Sequence, residues 1–325
     1  MQLIRGLYNL RPEHRGTALT LGNFDGVHRG HQAIIERLRA LGASRTSVLL
    51  FEPTPREYFD PVRAPRRLMR FGEKLDVLAT LGVDQVVCLR FDERIASLAP
   101  ETFVERLLVD GLGVTHVLVG ADARYGRHRT GSFDTLKAHG ERAGFAVDAA
   151  PTVCLDGERV SSTRIRAALA AHDFVGAQGL LGRPYAMSGR VIHGQKLGRT
   201  LGYPTANIPV RRLHSPLHGI FAVRVAGVVP GEDEARWPGV ASLGSRPTVN
   251  GEGLLLEVCL FDFSGDLYGK RLRVEFVEHL RDEVRFDSLE ALTRQMDEDA
   301  AAALEALARD DESPSAQHSQ GEGTG

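Results

Sequence analysis

His28 and His31 lie three residues apart in the stretch Gly22-Asn23-Phe24-Asp25-Gly26-Val27-His28-Arg29-Gly30-His31. An apolar run ends just before it at Leu21, and an amphipathic run, Gln32 to Leu41, follows it. That order predicts a strand, a glycine-rich turn and a helix start. At a helix start, unpaired backbone N–H groups and the helix dipole favour negative charge. Two imidazoles beside such a terminus suit the neutralisation of a triphosphate whose charge shifts during reaction. The P-loop pattern G-x-x-x-x-G-K-[ST] is absent here, so another kind of phosphate turn is expected.

Three more segments have the same flavour. Phe51-Glu52-Pro53-Thr54-Pro55-Arg56 and Val119-Gly120-Ala121-Asp122-Ala123-Arg124-Tyr125-Gly126 each leave an apolar run. Val160-Ser161-Ser162-Thr163-Arg164-Ile165-Arg166 brings hydroxyls and arginines to a helix start, which suits a bound or departing anion. Singly, each reads as structure: His28 a loop histidine, Ser161 to Thr163 a helix cap, Arg164 and Arg166 a solvated face. Four of them at strand ends of one sheet read as a site.

A second constellation runs from Gly189 to Asn207. Its glycines, Gly194 and Gly198 among them, let backbone amides approach a ligand, and Lys196 and Arg199 add charge. In Pro204-Thr205-Ala206-Asn207 the proline stiffens the chain, while Thr205 and Asn207 offer oxygen to a hard cation. A flexible loop with ordinary turn glycines accounts less well for this block.

The elements that must hold these residues fall into two halves. From Thr17 to Ala171, apolar runs alternate with helical patterns: strands at 17–21, 47–51, 85–91, 114–119 and 145–149, and helices at 32–41, 73–81, 100–109 and 135–142. Such βαβα order predicts a parallel sheet with helices on both faces and ligands at the strand C-terminal ends. Near Gly179–Pro184 the rhythm changes to short strand-like runs punctuated by Gly and Pro, which favours a small antiparallel barrel or sandwich. Asp287 or Ser288 is expected to cap a closing helix to about Arg309. The residues from Asp310 to Gly325 hold no core-forming side chain and are expected to be disordered. The domains expected are therefore 1–180, 181–309 and a tail, 310–325.

Composition narrows the function classes. With 325 residues, 42% hydrophobic and 25% charged, the chain can bury a real core in about two domains. A formal net charge of −2 argues against broad capture of nucleic acid or anionic membrane. Cys88, Cys154 and Cys259 show neither metal spacing nor a disulfide framework and read as structural thiols. The N-terminus lacks a hydrophobic signal core and no long uncharged apolar run occurs, so a cytoplasmic location is expected.

The blocks G-N-F-D-G-V-H-R-G-H, V-G-A-D-A-R-Y-G and V-S-S-T-R-I-R resemble the adenylyltransferase signatures of bacterial bifunctional FAD synthetases. The block from Gly194 to Asn207, with His218-Gly219-Ile220-Phe221, Gly239 to Thr248 and Leu267-Tyr268-Gly269-Lys270, resembles riboflavin kinase. The likeness implies an N-terminal Rossmann-like nucleotidyltransferase of the HxGH type and a C-terminal kinase barrel with a closing helix. Riboflavin, FMN and ATP would be the small-molecule substrates and Mg²⁺ the metal. No nucleic acid or membrane partner is implied, and the chain would act as a monomer or weak homo-oligomer. Role by role, His28 and His31 would contact the ATP phosphates. Gly22, Phe24, Asp25 and Asp122 would shape and position that site, and Ser161, Ser162, Thr163 and Arg164 would act as a KMSKS-type loop does. In the second half Thr205 and Asn207 would organise Mg²⁺, and Glu257 would be the general base. Gly194, Lys196, Gly198, Arg199, Pro204 and Arg281 would line the ATP and flavin side. Four positions depart from the pattern: Thr54 and Ala123 stand where the family has a histidine and an aromatic, and Ser242 and Cys259 where it more often has Asn and His. A monofunctional riboflavin kinase with a weakened or inactive N-terminal half, and a non-catalytic flavin- or nucleotide-binding sensor, are the competing readings.

Overall fold

The computed structural model describes residues 1–194, 202–212, 214–232, 235–248 and 251–312. The chain divides into two compact units, one of Met1–Pro65 with Phe71–Ser162, the other of Arg66–Arg70 with the chain from Thr163 onward.

Unit one contains the strands β1 (Gln2–Arg5), β2 (Thr17–Leu21), β3 (Arg45–Glu52), β4 (Gln85–Arg90), β5 (His116–Val119), β6 (Arg124–Tyr125), β7 (Gly131–Ser132), β8 (Ala146–Ala149), β9 (Cys154–Leu155) and β10 (Glu158–Arg159). Its helices are α1 (Arg29–Ala40), α2 (Pro55–Phe59), α3 (Phe71–Thr80), α4 (Glu93–Ala96), α5 (Pro100–Phe103) and α6 (Phe133–Ala143). The main sheet is six-stranded, in the order β1-β4-β3-β2-β5-β8, and every pairing in it is parallel. Successive side chains of β2 and β5 go to opposite faces. Leu19, Val117 and Val119 join a core with Leu107, Leu108 and Leu112, whereas Ala18 and Leu118 pack with Leu38 of α1. Both faces are therefore apolar, which is why these strands read as continuous hydrophobic runs.

From β2 the chain builds outward through β3 to β4, then returns to the other side of β2 for β5 and β8. The order reverses between β2 and β5, and a crevice opens outside the carboxyl ends of strands at such a reversal. The turns after β2 and β5 are thus neighbours.

Two differences from the expected elements stand out. The first residues form the edge strand β1, whose single buried side chain, Ile4, makes no pattern. The helix from Pro100 is α-helical only to Phe103 and continues as a wider π-helix over Val104–Gly111.

In the second unit, α7 (Ser162–Ala170) and α8 (Phe174–Leu181) precede β11 (Ala186–Arg190), β12 (Thr205–Pro209), β13 (Gly219–Ala226), β14 (Trp237–Thr248), β15 (Gly251–Leu260), β16 (Arg271–Arg281) and α9 (Leu289–Glu312). These strands form one antiparallel sheet in the order β11-β16-β13-β14-β15-β12. Its two ends curl together: Gly189 of β11 lies so close to Ile208 of β12 that any side chain there would collide with it. The sheet is a near-barrel. Phe221, fully buried, is edge-on to Phe276 at 5.1 Å and to Phe174 at 6.1 Å.

Ser288 caps α9, its hydroxyl accepting from Ala291 N at 3.1 Å. The helix packs Ala303, Ala306 and Leu307 against Ala222 and runs to Glu312, three residues beyond the expected end. The extension has a cause: Arg224 of β13 donates to Leu307 O at 3.0 Å, Asp310 at 3.1 Å and Asp311 at 2.6 Å, holding the last turn on the sheet. The rest of the expected tail, 313–325, lies outside the described residues.

Phe221→Ala should cost about 3–5 kcal/mol by emptying the centre of this aromatic cluster. The urea midpoint of the second unit's unfolding transition should fall accordingly.

Candidate functional site

The turn after β2 is tight and left-handed. Phe24 (φ 47°), Gly26 (φ 85°) and Val27 (φ 40°) all take positive φ. Glycine adopts this freely, but for Phe and a β-branched Val it costs on the order of 1–3 kcal/mol each. Burial of both side chains, Phe24 at 2% exposure and Val27 at 0%, offsets the strain. The turn delivers His28 as the N-cap of α1, its carbonyl accepting from His31 N at 2.7 Å and Gln32 N at 3.0 Å.

Three rings then stack. His28 lies on His31 with centroids 3.7 Å apart and planes 21° off parallel, and His31 lies on Phe24 at 4.4 Å and 27°. Two glycines leave room for the stack. A Cβ on Gly30 would meet the His28 ring at 3.2 Å, and one on Gly22 would meet the Phe24 ring at 3.4 Å. Ser162 reaches back across the sequence and donates from Oγ to Asp25 O at 2.8 Å. Gly22, Phe24, Asp25, His28, His31 and Ser162 are thereby joined into one cluster at the head of α1.

The other residues expected in this site stand at varied distances from it. Asp122 follows the neighbouring β5; its side chain folds over Gly120, where a Cβ would meet Oδ1 at 2.6 Å, and it is 4.0 Å from Arg159. Ser161 is half-buried just before α7. Thr163 and Arg164 occupy the first turn of α7 and belong to the second unit. Thr54 is the N-cap of α2: its Oγ1 accepts from Glu57 N at 3.4 Å, while Glu57 Oε2 accepts from Thr54 N at 2.9 Å. Ala123 packs against the core beneath β5.

In the second unit, strand register does the assembling. Pro204 is exposed, and Thr205-Ala206-Asn207 is not loop but the start of β12. Asn207 pairs with Glu257 of β15, and Glu257 pairs with Ser242 of β14. Directly opposed residues in antiparallel strands share a face, with Cβ atoms about 5 Å apart. Asn207, Glu257 and Ser242 therefore form one polar row.

Asn207 is 7% exposed and donates from Nδ2 to Thr205 O at 3.3 Å. A Cβ on Gly194 would meet the Asn207 amide at 2.5–2.8 Å, so only glycine fits against it. Cys259, opposite Thr205, is buried, and burial pushes its thiol pKa up. Tyr203, just before the motif, donates to Asp297 of α9; that bond, then burial, raise its pKa to about 12. Arg281 is turned to α9, where it forms a two-pronged ion pair with Asp299 at 2.7 Å for each arm. Lys196, Gly198 and Arg199 lie outside the described residues.

Two charged residues here carry no motif. Glu283, beyond β16, accepts from Ser242 Oγ at 3.1 Å and so stands beside the row that holds Glu257. Lys74 of α3, 2% exposed, donates from Nζ to Asn23 O at 2.5 Å, inside the histidine turn. A signal for Lys74 existed: it occupies the helix face of Phe71 and Leu78, where an apolar residue is the norm.

Two family models match this chain, one in each half. A family model described as FAD synthetase matches residues 10–164, and one described as riboflavin kinase matches residues 181–307. A bifunctional riboflavin kinase/FMN adenylyltransferase from Pseudomonas fluorescens is 54% identical over 308 residues, 93% of this chain and 97% of that one. The protein of the same description from Escherichia coli K12 is 47% identical over 309 residues, 94% of this chain and 97% of that one. Among solved structures, one described as a macrolide-efflux protein from Streptococcus pneumoniae matches with a TM-score of 0.73 at 27% identity, covering 92% of this chain and 97% of that chain. Among the described residues, no helix is long and apolar enough to cross a membrane.

Gly30→Ala tests the ring stack. Alanine favours a helix by up to about 1 kcal/mol, so stability should change little. The His28 ring must shift, and the ring-proton resonances of His28 and His31 should both move.

Proposed function

The chain belongs to the bifunctional riboflavin kinase/FMN adenylyltransferases, and on that premise we propose how its residues divide the work. The enzyme phosphorylates riboflavin to FMN with ATP and adenylylates FMN with a second ATP to give FAD.

Adenylyl transfer belongs to the ring stack. The FMN phosphate attacks the α-phosphorus of ATP; a P–O bond forms there as the bond to the pyrophosphate breaks. A phosphate monoester, with its second pKa at about 6, is already anionic near neutral pH, so no general base is needed. Alignment and positive charge on the departing pyrophosphate are needed instead. His28 and His31 provide that charge from the N-terminus of α1, whose N–H groups add to it. Gly22, Phe24 and Asp25 shape the turn, Asp122 positions from the next strand end, and Ser161, Ser162, Thr163 and Arg164 hold the leaving anion. The observation that carries this reading is the pair of stacked imidazoles at the topological switch point, beside a turn whose Asp25 carbonyl accepts from Ser162 Oγ.

Kinase chemistry reverses the requirement. Riboflavin attacks the γ-phosphorus through a primary alcohol, which is far less acidic than a phosphate. Glu257 accepts the proton as the P–O bond forms and ADP departs. The register that sets Asn207 opposite Glu257 supports this, because the base and the phosphate-side residues then share one face.

The oxygen donors fit Mg²⁺: Thr205 offers a hydroxyl, and Asn207, its Nδ2 engaged by Thr205 O, offers Oδ1 in the cradle that Gly194 leaves. Bound there, Mg²⁺ supplies charge neutralisation at the ATP phosphates. Gly194, Lys196, Gly198, Arg199 and Pro204 complete the nucleotide side. Arg281 acts through its pairing with Asp299, steadying the segment after β16. Both reactions run within one chain in the cytoplasm, in a monomer or weak homo-oligomer. The free thiols of Cys88, Cys154 and Cys259 suit that reducing compartment.

Incubation with riboflavin and Mg-ATP, followed by chromatography, should yield both FMN and FAD; FMN alone would mean an inactive N-terminal site. Glu257→Gln should abolish FMN formation while FAD formation from supplied FMN persists, and loss of both would overturn the assignment. Thr54→His should raise FAD formation by restoring an imidazole. Loss of the α2 cap should cost about 1 kcal/mol at the same time, seen as a lower Tm.

A further inference from the structure

We propose that Lys74 is a positioning residue for adenylyl transfer, its buried ammonium holding the turn that presents His28 and His31. This rests on the reading of those histidines given above.

Lys74 sits in the first turn of α3, remote in sequence from the histidine turn, and only 2% of it is exposed. Buried lysine is rare because an ammonium loses its hydration there, and it persists where the charge or its hydrogen bonds serve a purpose. Its Nζ reaches Asn23 O at 2.5 Å. Asn23 is the residue before Phe24, which has φ 47° and whose ring lies on His31. A carbonyl held at this point sets the orientation of the peptide leading into Phe24. From there the chain of contact runs through the Phe24 ring to His31, and from His31 to His28 at 3.7 Å.

The grip has a counterpart. Ser162 holds Asp25 O at 2.8 Å, so the carbonyls on either side of Phe24 are both anchored by side chains from elsewhere in the chain. A turn containing two non-glycine residues at positive φ would relax without such anchors. The charge of Lys74 also extends to the neighbouring strand: burial raises the Cys88 thiol pKa in β4, and Lys74 is among the cations that oppose the rise.

The test uses the full chain, in which the kinase half is an internal control for folding. Lys74→Met and Lys74→Ala are assayed for FAD formation from FMN with Mg-ATP, and for FMN formation from riboflavin. In both variants kcat for FAD formation should fall about tenfold or more, KM for ATP should change less than about threefold, and FMN formation should stay within about twofold. Ethylammonium added to Lys74→Ala should restore part of the lost kcat, because the cavity admits a small cation; Lys74→Met, which fills the space, should not respond. An unchanged kcat for FAD formation would overturn the proposal, as would a rise in KM alone or an equal loss of both activities. His31→Ala, run in parallel, separates the two levels. If it leaves FAD formation intact, the histidine reading itself has failed; if it abolishes FAD formation while Lys74→Met does not, only the role of Lys74 has.

Discussion

A stack of three rings at the head of a helix is the contact on which the site proposed for adenylyl transfer rests. Imidazoles at 3.7 Å separation place two potential cations close together, where mutual repulsion and lost hydration would normally drive them apart. The fold resists this by strain and burial together. Phe24 and Val27 accept left-handed backbone because their side chains are in the core, and glycines at 22 and 30 leave the space that the rings occupy. None of these features works alone: without burial the turn would relax, and without the turn the rings would not meet at the dipole. The parallel sheet supplies the remaining condition, since its strand order places the turn beside the exit of β5.

The second unit solves a different problem by different means. Its row of Asn207, Glu257 and Ser242 comes from hydrogen-bond register across three antiparallel strands, not from a turn. A one-residue slip of β12 against β15 would send Asn207 to the opposite face. Curling of the sheet, with Gly189 against Ile208, and the clamp of α9 through Arg224, Tyr203 and Arg281 hold that register in place. The two sites therefore differ as their acceptors differ. An anionic phosphate needs charge and alignment, whereas an alcohol needs a base, and the base proposed for it, Glu257, lies opposite Asn207.

Much of this was legible in the amino-acid order. The alternation of apolar runs and helical patterns determined the parallel first half, and the glycine-punctuated short runs determined the antiparallel second half, because burial periodicity is a local signal. The motif blocks carried the likeness that pointed to the reaction class: His, Ser and Arg at helix starts, and Thr-Ala-Asn, which opens β12. Only the tertiary structure decided which residues meet. Asn207 and Glu257 are fifty positions apart, and their opposition is a matter of register. The Thr54 hydroxyl caps α2, and Arg281 pairs with Asp299. Lys74 belongs to no motif, and packing alone buries it and brings it to Asn23. The physical reason is the same in each case. Periodicity and turn chemistry are written within a few residues, whereas a pairing partner is chosen by packing across the whole unit.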